Sequence, residues 1–199
     1  MEFNVFLFAG LCVACIILMI AERRGAPVVL TLRLKNDIKR ETRFLQQYGQ
    51  FTCCTIVVAI VFCLGGSSWR GHGQGIVVPL AVAPLVAGGL GMFVKRLLSR
   101  VRPGHENAGK FLGPQKGHAN FRESFPSNHS ATAMALSVGL SYLYPPAAIV
   151  FWTLAVVTGL LRYLLDAHWP SDVLGGLAFG YAIAWAVWHG IAAVGGFTL

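Results

Sequence analysis

Residues 146–195 read PAAIVFWTLAVVTGLLRYLLDAHWPSDVLGGLAFGYAIAWAVWHGIAAVG, two apolar runs (about 146–165 and 173–195) around a short polar connector. A helix crosses the hydrocarbon of a bilayer in roughly 20 residues, and each run has that length. A lipid-exposed backbone must satisfy its own hydrogen bonds, so each run is expected to be a membrane helix. The connector then holds Arg162, His168 and Asp172 where one helix ends and the next begins. A carboxylate four residues after a His can orient its ring, and a nearby Arg can hold an oxyanion.

Working outward, apolar segments fall at about 3–21, 51–66, 75–98, 129–144, 146–165 and 173–195. The chain is 55% hydrophobic and only 12% charged, against about 25% charged in a soluble domain. The expected fold is all-α: one integral membrane six-helix bundle spanning residues 1–199. Tyr144-Pro145-Pro146 is a tight turn that makes the fourth and fifth spans antiparallel neighbours. Small residues at Gly175, Gly176, Gly180, Ala182 and Ala184 suit close helix packing. The first run has no basic region before it and no A-x-A-like site after it, so it reads as a retained span rather than a signal peptide. Residues 22–50 form a basic connector, with an interfacial helix expected over Leu32 to Tyr48. Residues 99–128 form the longest other polar segment, of a kind that is often functional.

The net charge of +8 points to topology and anionic head groups rather than to nucleic acid. Cys12, Cys15, Cys53, Cys54 and Cys63 all lie inside apolar runs and read as small buried hydrophobes, not as disulfides or zinc ligands.

Spans alternate sides, so three polar blocks meet the membrane on one face. Lys95 and Arg102 lie at the end of the third span, Pro126-Ser127-Asn128-His129 opens the fourth, and Arg162, His168 and Asp172 bracket the fifth and sixth. Arg offers a planar fork to phosphate oxygens and Lys a compact charge. Ser127 and the N–H groups of residues 127–130 sit at a helix N-terminus, which favours an anion. An imidazole held by a carboxylate can attack phosphorus, and a second imidazole can protonate the leaving oxygen. Asp172 is placed to hold His168, which leaves His129 as the acid. Three cations repel a divalent ion and there is no H-E-x-x-H, so no metal and no cofactor is called for.

These blocks read Lys95-x6-Arg102-Pro103, then Pro126-Ser127-Asn128-His129, then Leu161-Arg162-x5-His168-x3-Asp172. They resemble the type 2 phosphatidic acid phosphatase superfamily, whose pattern is K-x6-R-P, P-S-G-H and S-R-x5-H-x3-D. The resemblance covers roughly residues 50–195. It implies a metal-independent membrane phosphatase in which His168 is the nucleophile of a phosphohistidine, Asp172 orients it and His129 is the general acid. Lys95, Arg102, Ser127, Asn128 and Arg162 would bind the phosphate. Implied substrates are lipid phosphates or diphosphates: phosphatidic acid, phosphatidylglycerophosphate, polyprenyl diphosphates such as undecaprenyl diphosphate, or the phosphate of lipid A. Two positions depart from the pattern. Asn128 replaces a Gly that lets the backbone turn toward the phosphate, and Asn tolerates φ > 0 better than most residues. The turn is therefore expected to survive, with the Asn side chain altering the pocket. Leu161 replaces a Ser and removes one hydroxyl contact.

The alternatives are a lipid phosphotransferase with the same intermediate and a membrane anion transporter that uses the cationic pocket. Vanadate-dependent haloperoxidases share the pattern, but they are generally soluble. The expected location is the bacterial inner membrane. The side is contested. Lys and Arg number seven in residues 22–50, seven in 95–122 and one at Arg162, against Arg70 alone on the other face. The positive-inside rule puts the site in the cytoplasm, whereas the resemblance implies the periplasm or cell exterior.

Overall fold

The structure is a computed structural model that describes residues 2–26, 42–65, 74–117, 119–165 and 168–195. Among these residues it is all-helical, with one isolated β-bridge between Arg100 and Phe111. The long helices are α1 (Val5–Arg23), α2 (Phe51–Gly65), α3 (Gln74–Leu98), α4 (Asn128–Leu143), α5 (Ala148–Leu164) and α6 (Pro170–Gly195).

Every apolar run found in the sequence is helical, but six spans were expected and four helices are long and apolar enough to cross a membrane. They correspond to α1, α3, α5 and α6. The difference lies in two short elements. Helix α2 has 15 residues and continues a helical segment, Thr42–Gly49, across a bend of 68°. Helix α4 has 16 residues, and Ser130 to Leu140 are all buried. It is the axis of the bundle, with α3, α5 and α6 packed around it and α1 lying on α6. A helix walled by protein can carry Ser130, Thr132 and Ser137 that a lipid-facing one would not.

The small residues of α6 act as the sequence suggests. A Cβ at Gly180 would collide with the Ala131 carbonyl, and one at Gly176 would lie 2.5 Å from the Ser127 carbonyl. These glycines bring α6 against the start of α4, which carries Ser127 and His129.

Of the interfacial helix expected over Leu32 to Tyr48, residues 32–41 lie outside the described residues. The rest is helical but turns into the bundle. The Gly49 carbonyl accepts from Thr132 Oγ1, and Tyr48 Oη lies 2.8 Å from Ser137 Oγ. The end of the connector, Tyr48 and Gly49, thus packs on α4, while Arg43, Phe44 and Leu45 before it are exposed.

Candidate active site

Helix α6 begins in a way that fixes Asp172. Pro170 occupies the first turn, where its missing N–H costs nothing. Asp172, two residues on, reaches back so that its Oδ2 accepts from the Trp169 N–H at 2.9 Å, a reciprocal cap. The same oxygen accepts from Ser124 Oγ. Its Oδ1 accepts from Arg100 Nη1 at 2.5 Å. Asp172 is fully buried, and three donors hold it. The His168 ring lies beside it with Nδ1 3.6 Å from Oδ2, slightly too long for a hydrogen bond. Burial pushes the imidazole down from 6.5 to about 3; Asp172 pulls the other way, and Lys95 and Arg162 add to the lowering. The ring is therefore neutral at ordinary pH, as a nucleophile must be, and with Nδ1 toward Asp172 its free nitrogen is Nε2.

The cations gather on the opposite side. The last turn of α3 carries Lys95, and the helix ends at Ser99, which adopts a left-handed φ of 46°. That exit aims residues 100–102 across the end of the bundle. Lys95 is 4% exposed and donates to the Glu123 carbonyl at 2.8 Å. Arg102 Nη2 is 3.4 Å from the same carbonyl. Arg162, from the last turn of α5, donates through Nη1 to Gln46 Oε1 at 3.0 Å. The Nε atoms of Arg102 and Arg162 are both buried and have no partner. The charges of Arg162, Lys95 and Arg102 all bear on His129, and those of Lys95 and Arg162 on His168. Burial also holds the Arg102 guanidinium below its ordinary value. Three cations in one partly dry space repel one another, and an anion among them would relieve both the repulsion and the orphaned donors.

At the head of α4, Ser127 is the N-cap and fully buried. Its N–H, expected to face an anion, instead donates to the Asp172 carbonyl at 2.9 Å. Its hydroxyl makes no cap bond and accepts from Ser130 Oγ at 3.0 Å, which leaves its own proton to give. Among residues 127–130 the N–H groups still directed out of the helix end are those of Asn128, His129 and Ser130.

Asn128 departs from expectation. It is the first residue of α4, and φ > 0 among non-glycine residues occurs only at Ser99 and Asn107 in the described chain. No left-handed turn is needed there, which is why a Gly is dispensable. The Asn128 side chain points into α3: Nδ2 is 3.3 Å from the Gly88 carbonyl, and a Cβ on Gly91 would meet Oδ1. Its amide thus lines the α3–α4 contact. Leu161 is buried in the bundle.

Several residues escaped the sequence reading. Glu22, Arg100, Ser124 and Ser171 form a buried chain ending on Asp172, and Gln46 braces Arg162. Arg100 stands two residues before the patterned Arg102, yet nothing local distinguishes it from the other basic residues of its loop.

Among the described residues, then, the chain is an all-helical membrane protein with three buried or partly buried cations bearing on a buried His–Asp pair. The chain belongs to the PAP2 superfamily, whose model matches residues 76–195. It is 43% identical over 96 residues to a lipid A 1-phosphatase of Rhizobium etli, covering 47% of this chain and 41% of that protein. It is 31% identical over 170 residues to the lipid A 1-phosphatase of Porphyromonas gingivalis, covering 81% of this chain and 36% of that one. The chain thus spans about two fifths of the length of these relatives. It is also 29% identical over 147 residues to a decaprenylphosphoryl-5-phosphoribose phosphatase of Mycobacterium tuberculosis, covering 71% of this chain and 73% of that protein. The fold is similar to that of a transmembrane PAP2-type phosphatidylglycerolphosphate phosphatase from Bacillus subtilis, with TM-score 0.61 and 20% identity over 92% of this chain and 94% of that one.

Proposed function

We propose that this protein is a metal-independent lipid phosphate phosphatase of the bacterial cytoplasmic membrane that works through a phosphohistidine. The observation that carries the reading is the pair of buried, partnerless guanidinium Nε atoms on Arg102 and Arg162, beside a neutral His168. Lys95, Arg102, Arg162 and the Ser127 hydroxyl hold the phosphate oxygens. Nε2 of His168 attacks phosphorus; the bond from phosphorus to the lipid oxygen breaks, and that oxygen leaves with a proton from His129. Asp172 stabilises the imidazolium character of the phosphohistidine. His129, now deprotonated, takes a proton from water as the water attacks phosphorus; the P–N bond breaks and inorganic phosphate departs. The arginines and Lys95 lower the barrier by offsetting the charge that accumulates on the phosphoryl oxygens.

The substrate is a phosphate on a lipid anchor, because Lys95, Ser127, Arg162 and His168 all lie at the ends of helices in a membrane protein. The names of the relatives, lipid A 1-phosphatase and a polyprenyl-linked sugar phosphatase, support a bacterial envelope lipid. In this reading six helices span the bilayer, with α4 as the enclosed one. Phosphate release from lipid A, phosphatidylglycerophosphate, phosphatidic acid and undecaprenyl diphosphate, with His168→Ala beside the parent, tests the proposal. The variant is expected to lose activity by about 10³-fold or more; release at the parent rate from the variant overturns the nucleophile. Labelling of a single cysteine in the 99–117 loop by an impermeant reagent on intact cells fixes the side.

A further inference from the structure

We propose that Glu22 and Arg100 are positioning residues for the nucleophile, a buried relay from the N-terminal helix that leaves one net negative charge for His168. The proposal rests on the phosphohistidine reading above. The relay runs Glu22, Arg100, Asp172, His168. Arg100 Nη2 donates to Glu22 Oε2 at 2.7 Å and Nη1 to Asp172 Oδ1 at 2.5 Å, with all three side chains at 2% exposure or less. Ser171 ties the ends together. Its N–H donates to Glu22 Oε1 at 3.0 Å, its hydroxyl to Oε2 at 2.5 Å, and it accepts from Arg100 Nη1 at 2.6 Å. The guanidinium is clamped between rings, 5.3 Å from the centroid of Phe111 and 5.5 Å from that of Trp169. Trp169 is itself anchored by Nε1 on the Val101 carbonyl.

Charge balance gives the relay its function. When His168 becomes a phosphorylated imidazolium, it needs an anion beside it. Arg100 holds the Asp172 carboxylate in place, but alone it would cancel its charge. Glu22 cancels Arg100 in turn, so Glu22, Arg100 and Asp172 together carry one negative charge. In a dry site a unit of charge this close matters far more than it would in water. Glu22 lies on α1, outside the 76–195 family match, so the first helix is part of the machinery rather than an anchor.

The test is full-length enzyme in detergent, with kcat, KM and the rate of phosphoenzyme formation measured on monodisperse protein for Glu22→Gln, Glu22→Asp and His168→Ala. Glu22→Gln is expected to lower kcat and phosphoenzyme formation together, about 10- to 100-fold, with KM within twofold, and Glu22→Asp to recover most of that loss. Parent kcat in Glu22→Gln, or equal losses in Gln and Asp, overturns the charge role. If Glu22→Gln does not fold, Glu22→Asp decides alone: kcat within a few-fold of the parent at constant KM supports the charge role, and a fall of about tenfold or more in this charge-preserving variant overturns it. An active His168→Ala instead overturns the parent reading, whatever Glu22 does.

Discussion

The two sides of the site are finished to different degrees. Around Asp172 each carboxylate oxygen has its donors: Arg100 on one, Ser124 and the Trp169 N–H on the other. Around the phosphate position the cations are underused. Lys95 has a backbone carbonyl, Arg162 has Gln46, and the Nε atoms of Arg102 and Arg162 have nothing. One side is pre-organised by the fold; in the proposed function the other is completed by an anion. If His168 is the nucleophile as proposed, order preformed around it costs nothing at the moment of reaction, and unsatisfied donors make binding of an anion the relief of a buried penalty.

The largest expected effect breaks the finished side. Arg100→Met strands Glu22 and Asp172 as buried carboxylates without their counter-ion. It should cost about 3–5 kcal/mol of stability, as removal of one partner of a buried pair usually does. Thermal unfolding in detergent checks it, and an unchanged midpoint would show that the relay carries no weight. On the unfinished side the same kind of change should behave in the opposite way. Arg102→Gln removes a cation from a repelling cluster, so the midpoint should hold or rise, while KM for the lipid phosphate increases about 10- to 100-fold, some 1.4–2.8 kcal/mol. A fall in stability with unchanged KM would reverse the assignment of the two sides.

Titration sharpens the contrast further. His168 is held at about 3 in the fold against 6.5 when unfolded. As pH drops below 6.5 the unfolded chain takes up a proton that the folded one refuses, so stability falls toward pH 3 and is fully present above 6.5. The slope from this group approaches about 1.4 kcal/mol per pH unit. Unfolding midpoints from pH 7 to 4 should therefore fall more steeply for the parent than for His168→Gln; parallel slopes would place the ring in water. The smallest effect is expected at Asn128→Gly. Its side chain faces α3, so phosphate release should stay within about threefold, while loss of the bond to Gly88 costs about 1 kcal/mol. A large change in KM would return Asn128 to the pocket.

Much of this was legible in residue order. The apolar runs announce the helices, and helix alternation by itself puts Lys95, Arg102, Ser127, His129, Arg162, His168 and Asp172 on one face. That worked because both signals are local: the length of a hydrophobic run, and the position of a polar residue relative to its ends. What residue order does not record is enclosure. The 16 residues of α4 read like any other apolar run, yet they are walled by α3, α5 and α6, and enclosure is a property of neighbours.

By itself, then, the sequence determined that this is a helical membrane protein of the PAP2 pattern with a convergent cationic site, because hydrophobic length and motif spacing act within a few turns of chain. The tertiary structure alone decided which polar residues, distant in the chain, meet there. Glu22 meets Arg100 across 78 positions and Gln46 meets Arg162 across 116. Asn128 turns away into α3, 40 positions before it. Such pairings follow from how closely the helices pack, which glycines at the α4–α6 contact set and which no spacing rule along the chain records.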